Sequence, residues 1–219
     1  MKPLSVGRFV LAVFLWLPLC FGAWYAAAKP HAAIAGRLAW MLVNMLESGL
    51  VSAIEHPANM LVFVTRIAVV TPAGEHAVLT AEVDPFVYTF GLPLFLALML
   101  ASRANAWRIL AGAVALLPFQ AWGIGFDVLA KIGTQMGPAI AAQAGLSRWE
   151  MEAIALAYQA GSLLFPALMP VVLWAVSCPR QLGMLAPALA RAAPLTPRDR
   201  AGPATPSPPS DGELPRGRP

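Results

Sequence analysis

Charged residues are absent from four long stretches of this chain, and that absence limits its possible folds more than any other feature. Phe9 to Ala28 lies uncharged between Arg8 and Lys29, and Pro85 to Ser102 between Asp84 and Arg103. Ile109 to Phe126 follows between Arg108 and Asp127, and Ala153 to Pro179 between Glu152 and Arg180. A helix needs roughly 20 apolar residues to cross the hydrocarbon core of a bilayer, and the second and third runs stand near the lower limit. No water inside the core can satisfy backbone amides and carbonyls, so these runs are predicted to be helices. Over all 219 residues the chain is 58% hydrophobic and 12% charged, with a mean hydropathy of +0.66. A soluble domain carries about a quarter of its residues as charges. The predicted fold class is an α-helical integral membrane protein with about four transmembrane helices and a small external β-meander between the first and second.

Orientation follows from the Lys and Arg residues, which accumulate on cytoplasmic flanks. With the N-terminus inside, the cytoplasmic parts hold ten cations against three carboxylates, and the outer parts hold five against eight. The inverse arrangement would place Arg103 and Arg108 outside, in the short loop of a helical hairpin where the rule is strictest. Both termini are therefore predicted to be cytoplasmic. The same asymmetry explains the calculated pI of 9.5 without a nucleic-acid partner. Lys2, Arg8, the first apolar run and Ala26-Ala27-Ala28 also match the outline of a cleavable secretory signal. The run exceeds the usual signal core, and Trp16, Trp24 and Tyr25 suit a span with interfacial anchors.

The outer segment 29–84 divides in two. After Pro30, Ile34, Leu38, Met41, Leu42, Met45 and Leu46 recur at helical spacing, with Gly49 as a stop. Such a helix can lie on the outer leaflet or pack on neighbouring protein. Leu50 to Glu55, Leu61 to Thr71 and His76 to Val83 are β-like runs separated by Pro57 and by Pro72-Ala73-Gly74, which predicts a three-stranded meander. In the second outer segment, 127–150, Ser147-Arg148-Trp149-Glu150 matches a capping box opening the last helix. The resulting plan is 1–28 N-terminus and first span, 29–84 external, 85–126 helical hairpin, 127–150 external helical segment and 151–179 fourth span. Residues 180–219 form a cytoplasmic tail, where nine of the 21 prolines fall; that composition predicts disorder.

Candidate chemistry is sparse. Cys20 could serve as a nucleophile, but such a thiol needs a nearby base. His31, His56 and His76 all fall in outer segments, and along one helix His31 would stand about 16 Å from Cys20. The topology separates Cys20 and Cys178 across the bilayer, so no disulfide joins them. Glu55-His56 and Glu75-His76 offer zinc-type ligands, yet adjacent strand residues point to opposite faces. No cofactor or metal is predicted. Gln120, Gln159 and Ser162 are the polar residues within the spans, and Asp127 is predicted to end the third helix at the outer surface. Pro118, Pro166 and Pro170 are predicted to kink the third and fourth helices. Helices associate in lipid through packing and hydrogen bonds. Gln120, Gln159, Gly123 and Gly125 are therefore candidate partner contacts, and Phe63 is one in the β region, whose edge could take an added peptide strand. The alternative is that these residues hold the chain's own bundle together.

Three stretches carry a family resemblance: Phe14-Leu-Trp-Leu-Pro-Leu-Cys-Phe-Gly-Ala-Trp-Tyr25, Asp84-Pro-Phe-Val-Tyr-Thr-Phe-Gly-Leu-Pro-Leu-Phe-Leu-Ala-Leu98, and Gln120-Ala-Trp-Gly-Ile-Gly-Phe-Asp127. Together with the β region they make residues 8–178 resemble the exosortase H-associated membrane proteins of Gram-negative bacteria. The resemblance implies an inner-membrane companion of an exosortase, a multi-span cysteine transpeptidase that processes proteins bearing a C-terminal sorting signal. It implies as partners the enzyme or its sorting substrate, besides membrane lipids. The chain shows no Cys–His–Arg set matching the exosortase pattern, so no catalytic residues carry over. The function expected is that of a non-catalytic accessory protein. The alternatives are a membrane cysteine peptidase or transpeptidase using Cys20, and a small four-helix transporter.

Overall fold

The computed structural model describes residues 6–57, 59–70, 75–179 and 181–183. The chain is mostly helical. Helix α1 (Val6–Ala26) bends at Ala27 into α2 (Ala28–Leu46). Strands β1 (Val51–Glu55), β2 (Leu61–Val70) and β3 (His76–Val83) follow, then α3 (Phe86–Thr89) and α4 (Gly91–Ala101). Helix α5 (Ala106–Ala130) continues into a π-helical turn, Lys131–Gln135. Then come α6 (Pro138–Gln143), α7 (Arg148–Gln159), a second π turn at Ala160–Leu164, and α8 (Phe165–Ser177). Among the described residues three helical stretches are long and apolar enough to cross a membrane: Val6–Ala26, Ala106–Gln135 and Arg148–Ser177. Phe86–Ala101 is apolar but shorter.

Local chemistry accounts for several boundaries. Ser147 and Glu150 form the predicted capping box, each side chain accepting from the other residue's backbone N–H. Asp84 Oδ1 accepts from Phe86 N and opens α3. Helix α4 ends in a Schellman arrangement: Ala104 N donates to Met99 O and Arg103 N to Leu100 O, with Arg103 at φ 52°. That left-handed position is usually a glycine's. Asn105 then caps α5 by accepting from Trp107 N. Pro166 falls just after the second π turn, where the widened helix relieves the clash a proline ring makes with the preceding turn.

The sheet is antiparallel in the order β1-β2-β3, so β2 is central. Phe63 pairs with Ile54 on one side and Ala81 on the other. Irregular register between Val64 and Ala68, and between Val51 and Ala53, bends the sheet. Residues 77, 79, 81 and 83 of β3 turn inward while 76, 78, 80 and 82 face out, the alternation of a sheet covered on one side.

Two hydrophobic cores are strung along α5. One joins α1, α4, α8 and the first half of α5 through Phe9, Phe95, Met99, Leu116 and Trp174. The other wraps the second half of α5 with α2, the sheet, α6 and α7, through Val43, Phe63, Val83, Ile124 and Leu129. From Gly123 to Ala130 every residue of α5 is buried.

Three details differ from the sequence reading, and one boundary agrees with it. Helix α5 does not stop at Asp127, because that carboxylate is paired inside the fold and the helix runs on to Ala130. The last helix begins at Arg148, where the predicted capping box starts it. Helix α2 docks on protein, and through its small residues: Ala35, Gly36, Ala39 and Val43 are buried, whereas Ile34, Met41 and Met45 face outward. Small side chains allow the closer approach of backbones, so they took the interface from the larger apolar stripe. Residues 181–183 of the expected tail form a helical turn whose amides at Gln181 and Leu182 bond to Cys178 O. The rest of that tail, 184–219, lies outside the described residues.

Candidate functional site

A polar column runs up the buried side of α5. Gln120 and Asp127 stand seven residues apart, and Lys131 one turn further, so all three share one helical face. Gln120 is 4% exposed and Asp127 is 5% exposed. His31 Nε2 donates to Gln120 Oε1 across 2.9 Å, which ties the start of α2 to α5. Burial holds the His31 imidazole below its ordinary pKa, with the Gln120 hydrogen bond opposing in part. The Gln120 amide nitrogen is buried with no partner among the described residues, as is the Trp24 indole nitrogen.

Higher on the column, Lys131 Nζ donates to Asp127 Oδ2 at 2.9 Å and to the carbonyl of Glu82 at the end of β3. The buried Tyr88 side chain of α3 faces Asp127 and Tyr158 of α7. One carboxylate and one ammonium thereby link four elements, and leaving either charge without the other would be costly in so dry a place. Gly123 lies between the two levels. A Cβ there would stand 2.4 Å from Tyr88 Cδ1, and one on Gly161 would stand 2.8 Å from Gly123 Cα. The absence of both methyls lets α3, α5 and the second π turn meet.

Of the five residues singled out as partner contacts, four are internal. Phe63 is fully buried on the central strand, Gly123 and Gly125 are buried in α5, and Gln120 is held by His31. Gln159 is exposed, and it is His31, not Gln159, that bonds Gln120. The neighbouring Ser162 hydroxyl donates within its own helix, to Tyr158 O. The sequence reading missed Tyr88 and Lys131. The signal for Lys131 was an Asp within a helical run followed four residues later by a Lys, a spacing that pairs charges on one face; nothing local marked Tyr88.

Cys20 is buried and makes no hydrogen bond among the described residues, and the His31 ring is engaged on α5 instead. Cys178, also a free thiol, lies 3.9 Å from Met99 Sδ. Glu55 aligns with Val62 near one end of β2, and His76 with Val70 at the other. Eight residues of strand separate those levels by roughly 25 Å, so the two acid–histidine pairs do not share a metal ion.

The outer surface is more open at two places. Helix α1 turns Leu11, Phe14, Leu15 and Leu19 outward, and α2 exposes Ile34, Met41 and Met45. A groove of about 270 Å³ lies at the α1–α2 bend, bordered by Lys29, His56, Asn59 and Phe86. At the sheet edges, Asn44 and Trp40 side chains already occupy the backbone groups of Val51, and Lys131 occupies Glu82 O.

No curated protein and no solved structure matches the chain. A family model, described as exosortase H-associated membrane protein, matches residues 3–181. That match takes in both cores and the whole polar column, and by it the chain belongs to the exosortase H-associated membrane proteins.

Proposed function

We propose that the chain is a non-catalytic accessory protein of an exosortase-type protein-sorting system, assisting the enzyme or its substrates. The observation that carries this reading is the family match over residues 3–181. In the proposed topology Phe86–Ala101 is a fourth, short span, both termini are cytoplasmic, and the membrane is the bacterial inner membrane. Segments 29–84 and 127–150 then stand outside as one small domain, built on the projecting end of α5.

The packing supports this division of labour. The polar column and the Gly123–Gly161 crossing stiffen the chain internally, so Phe63, Gln120, Gly123 and Gly125 act as scaffold. Contacts with the enzyme fall to the exposed apolar faces of α1 and α2 and to Gln159. A sorting-signal peptide would add as a strand along the His76–Thr80 part of β3, the stretch of edge away from the Lys131 clasp. Photocrosslinkers at Ile34, Thr80 and Gln159 in native membranes test the reading. Adducts to an exosortase or a sorting substrate are the expected result. Adducts to neither, from all three positions, would contradict it.

A further inference from the structure

Where the α4–α5 turn meets the end of α8, the structure holds an open cleft of about 830 Å³. Its rim carries two guanidinium groups. Arg103 is exposed in the turn, and Arg108, on the first turn of α5, donates from Nη1 to Ser177 O at 3.3 Å. No carboxylate lines the cleft among the described residues. Behind the rim the lining is apolar, with Ala111 and Ala115 from α5 and Leu173 and Val176 from α8. The cleft thus has cations at one end and, on the following turns of two candidate spans, small and apolar residues. Trp107, 71% exposed, stands at the mouth, where an indole suits the headgroup level of a bilayer. Arg103 also occupies the left-handed position that closes the Schellman turn, so the cation replaces the glycine that backbone geometry would favour.

We propose that this cleft binds an anionic glycerophospholipid. Its phosphodiester would lie between Arg103 and Arg108, and one acyl chain against Ala111 and Ala115. Guanidinium groups present planar donors suited to phosphate oxygens, and basic pockets between membrane helices favour anionic headgroups. The inference rests on α5 and α8 being membrane spans and not on which way they face. Reporter fusions after Asn105, near Gly145 and after Arg191, which must alternate in side, test the two spans separately.

The experiment is native mass spectrometry of the full chain in neutral detergent, offered equal amounts of dioleoylphosphatidylglycerol and dioleoylphosphatidylcholine. The wild type should retain the anionic lipid selectively, and R103Q/R108Q should weaken that retention by about tenfold or more, given what each basic residue contributes near an anionic headgroup. R103K/R108K, which keeps both charges, should retain most of it. R103Q alone leaves the Ser177 contact intact and should show an intermediate loss. R148Q, which removes an exposed cation on α7, should change nothing. Equal retention of the two lipids by the wild type would overturn the proposal. So would undiminished retention by R103Q and R103Q/R108Q, or thermal stabilisation by inorganic phosphate equal to that by phosphatidylglycerol.

Discussion

His31 Nε2 lies 2.9 Å from Gln120 Oε1, and this bond joins two helices whose residues stand 89 apart in the chain. It forms because α1 and α2 bend at Ala27, which turns α2 onto α5 instead of away along the line of α1. The bond helps fix where α2 sits on α5.

A pH dependence follows from it. The folded chain holds His31 below its ordinary value of 6.5, chiefly by burial, so the neutral ring is the form that fits. Its contribution is complete above the unfolded value and is lost as the pH falls below about 6.5, where the unfolded chain takes up a proton that the folded chain resists. Thermal unfolding in detergent between pH 8 and pH 5 should show a fall on the acid side. His31→Gln should remove most of that fall while costing about 1 kcal/mol at pH 8, the worth of a typical hydrogen bond. An unchanged pH profile in the variant would count against the buried neutral ring.

The Gly123–Gly161 crossing makes a second prediction. A methyl on Gly161 would meet backbone, Gly123 Cα at 2.8 Å, and cannot be relieved by a rotamer change. Gly161→Ala should therefore destabilise the chain by about 1–3 kcal/mol, as overpacking does. Gly22→Ala, with nothing within 4 Å of the new methyl, should be neutral or slightly stabilising, because alanine is the better helix former. Denaturant titration of the two variants side by side reads the contrast. Equal stability would contradict the close crossing.

Topology is the third. Reporter fusions after Asn105 and Arg191 should read as cytoplasmic, and fusions near Gly74 and Gly145 as external. An external signal at Asn105 would overturn the orientation drawn from Arg103 and Arg108.

How far the sequence reaches can be judged element by element. The meander and the capping box were legible because both are written locally, in β-branched runs broken by Pro57 and in Ser147 with Glu150. The docking face of α2 was not, because hydrophobic periodicity finds the largest side chains, and here Ala35, Gly36 and Ala39 made the contact. Asp127 was misplaced for a related reason. A charge was read as the end of an apolar run, but Lys131 neutralises it within the helix, and Glu82 O and Tyr88 surround the pair from β3 and α3. Neither of those partners can be located without the tertiary fold. Gln120 was recognised as a candidate contact, yet its bond to His31 was not foreseen, because nothing local brings the start of α2 to α5.

The central claim is that this chain serves a sorting enzyme without performing the chemistry itself. The most direct measurement is cleavage of a sorting-signal substrate in cells lacking the gene, complemented with the wild-type chain or with C20S/C178S. Processing should fall on deletion and return to the wild-type level with either chain, since Cys20 is buried with no basic partner among the described residues and Cys178 rests against Met99. Unchanged processing on deletion would contradict the accessory role, and rescue by the wild type but not by a normally expressed C20S/C178S chain would contradict the claim that it is non-catalytic.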